Sequence, residues 1–191
     1  MATLKTLAKI ALSLVVLLGC MRAYLWWQLH PVTRLSAYVQ TKAKHWEGNP
    51  SLVAHFPSQI PADAREGKFY FNPKFLQGSK TMELRLGLPE KDILELLEKF
   101  APLATVRTRG NAILDYSANN PDRFPMRMFH TFPWEEQSSP NPQTVLPGDF
   151  QMLLLSSRPY QTNPISWNHG DAAGICLSTN RNEVIYWAKS W

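Results

Sequence analysis

The sequence predicts an α+β protein in which an N-terminal membrane helix is followed by a mainly antiparallel sheet with one packed helix. Three observations lead to this fold class. Residues 10–21 form an apolar run without a charge. Of the 15 prolines, 14 lie from Pro50 onward, which argues against a helical bundle because proline interrupts helix interiors. Short strand-like segments outnumber helical ones without a strand–helix–strand repeat. We therefore expect a membrane anchor or signal segment at 1–29, a linker helix at 30–49 and a globular α+β domain at 50–191.

The N-terminal segment fits an uncleaved signal-anchor. A helix over residues 7–29 exceeds the about 20 residues that a hydrocarbon core of ~30 Å requires. Arg22 lies near the end of this helix, so its long side chain can reach the polar interface. Tyr24, Trp26 and Trp27 fall where aromatic rings prefer to lie, with one end in lipid and one end in water. These four residues are predicted to lie at the membrane interface.

Three other uses of the same residues remain open. The run LLGC at residues 17–20 resembles the bacterial lipobox, which makes Cys20 a lipidation candidate, although Leu18 is larger than the usual residue and no polar tether follows. A basic start and a short apolar stretch also fit a cleaved signal peptide. A buried core helix would need a partner to cover Trp26 and Trp27. Lysines and arginines are balanced across the two ends. The basic start before one apolar run favours a single-pass membrane protein with its domain outside the cytoplasm.

Two further helices are predicted from apolar residues at helical spacing. The first covers residues 32–46 and has a basic opposite face, as in a linker helix. The second follows Pro89, with acidic residues at its start and Lys99 at its end, and Pro102 prevents its continuation. The predicted apolar stripes are Val32, Leu35, Tyr38 and Val39 in the first helix, and Ile93, Leu94, Leu97 and Phe100 in the second.

Strands are predicted from period-two alternation. The clearest case is residues 81–88, where Met82, Leu84, Leu86 and Leu88 share one face and Thr81, Glu83 and Arg85 share the other. The last segment predicts a hairpin, because asparagines at 180 and 182 tolerate the left-handed conformation of tight turns. The other predicted strands are 68–71, 127–132 and 150–157, and the hairpin strands are 174–179 and 183–188.

The charge distribution gives no support for nucleic-acid binding. The chain has 20 Lys and Arg against 15 Asp and Glu, but residues 1–46 hold six basic residues and no acid. From residue 47 onward 14 basic residues face 15 acidic ones. The globular part is therefore close to neutral, without the basic surface that phosphate binding needs.

Two blocks of sequence are similar to uncharacterised bacterial membrane-anchored proteins. The first is His55-Phe56-Pro57 with Ile60 to Ala64, continuing through Phe69-Tyr70-Phe71 to Phe75-Leu76-Gln77-Gly78. The second is Ile185-Tyr186-Trp187-Ala188 near the C-terminal end. The resemblance implies an anchored architecture and carries no activity, cofactor or catalytic residue.

The sequence holds no motif for a metal, a cofactor or a phosphate. The five histidines form no HxH or HExxH pattern and no cysteine pair accompanies them, and the nine glycines are too scattered for a phosphate loop. One neighbourhood could hold a nucleophile, a base and an orienting group, namely Cys176, His169 and Asp171. No local motif flanks these residues, and free cysteines are commonly inert small hydrophobic residues.

Two functions follow from these observations. The first is a membrane-anchored, non-enzymatic binding or scaffolding module. Its N-terminal helix would contact membrane lipid, and its domain would contact a protein in the membrane or envelope. The alternative is a small membrane-tethered hydrolase that uses His169, Asp171 and Cys176. A structure separates the two, because the hydrolase requires these side chains to converge in a concave pocket.

Overall fold

The computed structural model describes residues 2–73, 79–112, 129–132, 146–159 and 170–191. The chain divides into two compact units, Met1–Pro31 and Val32–Trp191. The second unit begins at Val32, so it includes the segment that was predicted as a linker helix.

The first unit consists of one long helix, α1, at Ala2–Leu29. The sequence predicted a helix over 7–29, and the observed helix begins five residues earlier. Among the described residues, no helix combines the length and the apolar character needed to cross a membrane.

The second unit contains a six-stranded sheet in which every neighbouring pair is antiparallel, in the order β1-β2-β6-β5-β4-β3. The α+β class with a mainly antiparallel sheet is therefore confirmed. The β5–β6 hairpin places β6 between β2 and β5, although β6 follows all the other strands in the chain. The strands are β1 (Arg65–Asn72), β2 (Lys80–Gly87), β3 (Val106–Arg109), β4 (Gln151–Pro159), β5 (Gly170–Ser178) and β6 (Glu183–Ser190).

In the described part of the second unit, two α-helices accompany the sheet, α2 (Tyr38–His45) and α3 (Glu90–Phe100). As predicted, α3 starts directly after Pro89, and its first turn holds acids that interact favourably with the helix dipole. Short 3-10 turns occupy Leu35–Ala37, Pro50–Val53 and Ala101–Leu103. The turn of the β5–β6 hairpin contains Asn182 with φ 55°, the left-handed conformation that asparagine tolerates.

The first face of the sheet packs against α3, α2 and the Pro50–Val53 turn. Both predicted helix stripes need correction: Val39 is 47% exposed and Leu94 is 48% exposed, while Thr41 and Leu96 lie at buried or partly buried positions. The side of each helix that faces the core therefore includes Thr41 in place of Val39 and Leu96 in place of Leu94. The buried residues of this core include Tyr38, Trp46, Phe56, Phe69, Phe71, Met82, Leu84, Leu86, Ile93, Ile175, Leu177 and Tyr186.

The second face carries a separate apolar cluster formed by β4, β5 and β6 with two covering segments, 129–132 and 146–150. Its members are Phe129, Phe132, Leu146, Phe150, Met152, Leu154, Ala172, Cys176, Ile185 and Trp187. The polar residues of β2 lie on this face, and they are buried as well: Thr81 is 6% exposed, Glu83 is 0% exposed and Arg85 is 8% exposed. Alternation in β2 is therefore confirmed, and both of its faces are covered.

One strand prediction requires correction, and one observed strand was not predicted. Of the predicted strand 127–132, only 129–132 is described, and it forms a turn in which the Phe132 N–H donates to the Phe129 carbonyl. It does not extend because the backbone N–H of Thr131 bonds to a side chain of β2 instead of to a neighbouring strand. Strand β3 was not predicted. Its four residues are partly buried or exposed, as expected of a short edge strand.

Candidate functional site

The described part of α1 exposes large apolar side chains on several sides. Nine large hydrophobic residues of this helix are between 51% and 65% exposed: Ile10, Leu12, Leu14, Val15, Val16, Leu17, Leu18, Met21 and Tyr24. Exposed aliphatic residues at consecutive positions cannot all face one partner, since neighbouring helical residues point about 100° apart.

The predicted anchor residues fall on the same helix. Arg22 and Tyr24 are exposed, and Cys20 is an exposed free cysteine. The side chains of Trp26 and Trp27 lie outside the described residues. Their role at an interface and the lipidation of Cys20 stay predictions.

The structure does not bring Asp171 and Cys176 together. Both residues lie on β5, but they are an odd number of positions apart, so their side chains point to opposite faces of the sheet. Asp171 belongs to the face that packs against the Pro50–Val53 turn. His169 lies outside the described residues.

Cys176 lies in the second core. Its side chain is fully buried and its strand neighbours are Met152 and Ile185. Burial raises the pKa of the Cys176 thiol well above its usual value, and the nearby Glu83 carboxyl raises it further. A thiol held protonated in this way is a poor nucleophile, because the thiolate is the reactive form.

Asp171 borders a polar pocket of about 240 Å³. We call this the Asp171 pocket; it is lined by Asn49, Ser51, Leu52, Ser156, Arg158 and Asp171. The Asn49 amide donates to Asp171 Oδ2 at 3.1 Å and the Arg158 guanidinium lies 3.8 Å from the same oxygen. Ser51 Oγ in turn donates to the Asn49 side-chain carbonyl at 2.9 Å. The pocket thus brings the turn after Asn49 against the ends of β4 and β5.

The Asp171 side chain is largely buried and has two partners among the described residues. It is only 4% exposed, in a strand whose nine residues are all buried. Both contacts from the described residues reach Oδ2, and none of them reaches Oδ1. Burying a carboxylate is costly, and the Asn49 amide and the Arg158 guanidinium offset part of that cost for Asp171.

A second polar group, the Glu83 cluster, lies on the other face of the sheet and consists of Glu83, Arg85, Thr131 and Glu183. Glu83 Oε2 accepts from the Thr131 backbone N–H at 3.0 Å and from its hydroxyl at 3.3 Å. Arg85 donates to the Thr131 carbonyl at 3.3 Å and pairs with Glu183. These bonds hold the segment 129–132 over the sheet. Among the described residues, Glu83 Oε1 is buried and has no hydrogen-bond partner.

The pKa of Glu83 is raised to about 8. Burial is the main cause, because it disfavours the charged carboxylate. The hydrogen bonds from Thr131 and from the His130 backbone and the charge of Lys189 act in the opposite direction and are weaker. Glu83 therefore retains its proton near neutral pH. It does not line the Asp171 pocket.

A third polar contact joins the first core to the middle of the sheet. His55 Nε2 lies 2.9 Å from the Gly174 carbonyl and 3.2 Å from the Trp187 carbonyl. Since both partners are acceptors, Nε2 carries the hydrogen and donates to them. Burial lowers the pKa of His55 to about 4, although these two hydrogen bonds act to raise it.

The His55→Gln variant is expected to lose less stability than the parent protein when the pH is lowered. The folded protein binds the His55 proton less readily than the unfolded chain does, so the free energy of unfolding falls as the pH is lowered from about 6.5 to about 4. The slope is roughly 1.4 kcal/mol per pH unit. Glutamine keeps an N–H donor and does not titrate. Urea unfolding of the full chain at pH 4.5 and pH 7 measures the difference. The exposed His30→Gln variant should keep the acid sensitivity, and an equal loss in His55→Gln and the parent protein would contradict the assignment.

Another pocket, of about 350 Å³, lies where the β5–β6 turn approaches the start of α3. Its lining includes Arg65, Arg181 and Glu183. Arg181 pairs with Asp149 at 2.9 Å, and Glu183 pairs with Arg85, so two of its charged groups already take part in structural ion pairs. Among the described residues, no group of three His, Cys, Asp or Glu side chains is arranged to hold a metal ion.

No protein-family model matches the chain, and neither the curated proteins nor the solved structures include a significant match to it.

Sequence reasoning identified Asp171 but missed the residues that surround it and missed Glu83 as a buried acid. Asn49 and Asp171 are separated by 122 positions, so no spacing rule could pair them. For Glu83 the only sequence signal was its place on the polar face of a strand, which is the usual position of a solvated residue.

Proposed function

We propose that this protein is a membrane-anchored, non-enzymatic binding or scaffolding module. In this proposal α1 attaches the chain to a membrane as a single-pass signal-anchor, and the α+β domain lies outside the cytoplasm and binds a ligand or a protein partner. The observation that carries the proposal is the exposed aliphatic surface of α1, with nine large hydrophobic residues more than half exposed. Contiguous exposed apolar surface of this kind is typical of a membrane or protein contact.

The binding role is supported by the Asp171 pocket, which is concave and polar and is lined by neutral and charged hydrogen-bonding groups. The hydrolase alternative gains no support, because Asp171, its orienting group, and Cys176, its nucleophile, lie on opposite faces of β5. We therefore keep Asp171 as a binding residue in the proposal and assign no role to Cys176 beyond packing.

Placing two acids on α1 is expected to release the protein from membranes. Val15→Asp with Leu18→Asp would add roughly 6 kcal/mol to the cost of inserting the helix, since one acid at the centre of a membrane helix costs about 3 kcal/mol. Flotation of the full chain with phospholipid vesicles measures the effect. The control is Leu94→Asp with Leu103→Asp, which changes two exposed hydrophobic residues of the domain. The proposal predicts that the control floats and the α1 variant does not.

If the parent protein itself stays with the soluble fraction, unprocessed and without detergent, the membrane part of the proposal is wrong. Mass spectrometry of the mature N-terminus separates an intact anchor from cleavage and from lipidation at Cys20.

Pull-down of the detergent-solubilised protein tests the binding part of the proposal. A reproducible partner supports it, and recovery of the bare chain alone counts against it.

A further inference from the structure

The second unit follows α1 in the sequence without a free linker. Helix α1 ends at Leu29, and Val32 is already held by β1. The Val32 N–H donates to the Phe71 carbonyl and the Phe71 N–H donates to the Val32 carbonyl, both at 2.8 Å. A residue spans at most about 3.6 Å, so Val32 is within about 11 Å of Leu29 whatever the direction of α1. With α1 as a membrane anchor, the residues around Val32 are therefore kept within reach of the bilayer surface.

Val32 pairs with one particular end of the sheet, which we call the anchor end. It is formed by Asn72 at the end of β1, Lys80 at the start of β2 and Ser190 at the end of β6. Helix α2 reaches the same place: the His45 ring lies 4.5 Å from the Phe71 ring, and Lys80 Nζ donates to the His45 carbonyl at 2.8 Å. The C-terminal end of α2 thus lies beside the strand that holds Val32.

The solvent-facing side of α2 carries a positive charge and no acid. Its exposed residues share one side of the helix, since positions four apart lie on the same face. They are Val39, Gln40, Ala43 and Lys44. Arg34, just before the helix, is exposed as well, and the sequence contains no acid before Glu47. Arg34 and Lys44 therefore give this surface two exposed cations on either side of an exposed aliphatic residue.

Further positive charge lies behind this surface. Lys42 Nζ donates to the carbonyls of Phe56 and Pro57, which are neutral groups. The pKa of His45 is lowered mainly by burial, and the positive charges of Lys44 and Lys80 lower it further. This direction of shift indicates a positive electrostatic potential at the anchor end.

Acids are few at the anchor end. Among the described residues they are Glu47, which is exposed, and Asp171, which is buried and contacted by Arg158. The sequence that joins β1 to β2 (73–79) and β4 to β5 (160–169) contains no Asp or Glu. The excess of positive charge therefore belongs to the end of the sheet that follows α1.

The opposite end of the sheet is more evenly charged. There Arg181 pairs with Asp149, and Arg85 pairs with Glu183. Glu66 is exposed at the start of β1, next to Arg65. A negatively charged partner would therefore be attracted to the anchor end in preference to this one.

We propose that the anchor end of the domain, through Arg34, Lys44 and the exposed side of α2, docks on a bilayer surface that carries anionic phospholipid headgroups. This inference rests on the proposed anchoring by α1 and adds a second, electrostatic contact made by the domain itself. A bilayer is favoured over an acidic protein because the short connection after Leu29 already keeps these cations near the lipid. Attraction to anionic headgroups acts within about one Debye length, roughly 10 Å, so this proximity is needed.

The test uses the full chain in nanodiscs of phosphatidylcholine alone and of phosphatidylcholine mixed with phosphatidylglycerol. Gln40→Cys in a Cys20→Ala chain carries a fluorophore on α2, while Cys176 is buried and stays unlabelled. Lipids with a nitroxide on the headgroup quench the fluorophore when α2 contacts the bilayer surface. We expect stronger quenching in the discs with phosphatidylglycerol, and loss of this difference at high salt.

Variants connect the quenching to the proposed surface. Arg34→Gln with Lys44→Gln is expected to lower the docking equilibrium constant about fivefold for each charge removed, and roughly 25-fold for both. The matched control is Lys91→Gln with Lys99→Gln, which removes two exposed cations from α3 and should dock like the parent protein.

Two outcomes would overturn the inference while the chain still co-purifies with the discs, so that the proposed anchoring stands. One is equal quenching in both lipid compositions. The other is quenching by anionic discs that persists unchanged after Arg34→Gln with Lys44→Gln. A chain that enters neither kind of disc contradicts the proposed anchoring itself, and the docking surface is then wrong as well.

Discussion

Replacing Glu83 with glutamine is expected to stabilise the folded protein at pH 8 by on the order of 4 kcal/mol. The carboxyl loses its proton near pH 4.5 in the unfolded chain but only near pH 8 in the folded protein, because burial disfavours the charge. Between these values the folded state holds a proton that the unfolded state has released. The free energy of unfolding of the parent protein therefore falls as the pH rises from about 4.5 to about 8 and then levels off.

Glutamine is neutral at every pH, so the variant should lose this slope. Its side-chain oxygen can accept the two Thr131 hydrogen bonds, while its amide nitrogen takes the place of the buried Oε1. Urea unfolding of the full chain between pH 6.5 and pH 8.5 measures the slope. Glu98 is exposed, and Glu98→Gln is the matched control that should leave it unchanged. If the parent protein is equally stable at pH 6.5 and pH 8, the raised pKa of Glu83 is wrong.

The Glu83 and His55 effects have opposite signs and different windows. Acid lowers stability through His55 below about pH 6.5, whereas base lowers it through Glu83 up to about pH 8. The two slopes oppose each other between about pH 4.5 and pH 6.5, where the stability due to these two groups should be nearly constant. The double variant His55→Gln with Glu83→Gln should extend this flat region to both sides.

Replacing Gly174 with alanine is expected to destabilise the protein by about 3 kcal/mol or more, at the upper end for overpacking. A Cβ at this position would lie 2.4 Å from the Leu153 carbonyl oxygen and 2.6 Å from the indole ring of Trp187. The first obstacle is backbone of the neighbouring strand and the second is a fully buried ring, so neither can move without disturbing the sheet. The shift would also displace the Gly174 carbonyl that accepts from His55.

Gly48→Ala is the control for this prediction, because a Cβ there meets no atom within 4 Å. Thermal unfolding and the yield of folded protein compare the two variants. We expect Gly48→Ala to match the parent protein and Gly174→Ala to unfold at a clearly lower temperature or to accumulate poorly. A Gly174→Ala protein with the parent's unfolding temperature would show that β4 and β5 can separate locally at little cost.

Much of the sheet could be predicted because its strands carry their own local pattern. Residues 81–88 alternate cleanly and the observed β2 covers nearly the same range. The hairpin of β5 and β6 follows from two asparagine-flanked apolar segments, and Asn182 has the expected left-handed backbone. Helix α3 is bounded by Pro89 and Pro102, whose rings exclude the preceding or continuing turn. In each case the signal lies within about ten neighbouring residues.

The buried polar groups could not be predicted because their surroundings come from distant parts of the chain. Glu83 is covered by Thr131, 48 positions away, and Asp171 is reached by Asn49 from the start of the domain. A strand pattern states which residues share a face but not whether another segment covers that face. The same limitation explains the predicted strand at 127–132, where a carboxylate takes the backbone hydrogen that a neighbouring strand would otherwise use.

The central place of β6 has a consequence for how the domain is made. Two partial sheets, β1–β2 and β3–β4–β5, precede β6 along the chain. In the folded protein β6 pairs with the edge of β2 on one side and with the edge of β5 on the other. During translation both edges remain available to other polypeptides until residues 183–190 have been synthesised. The nascent protein should therefore be prone to aggregation during that interval, and mutations that slow insertion of the last hairpin should reduce its yield in cells more than its equilibrium stability.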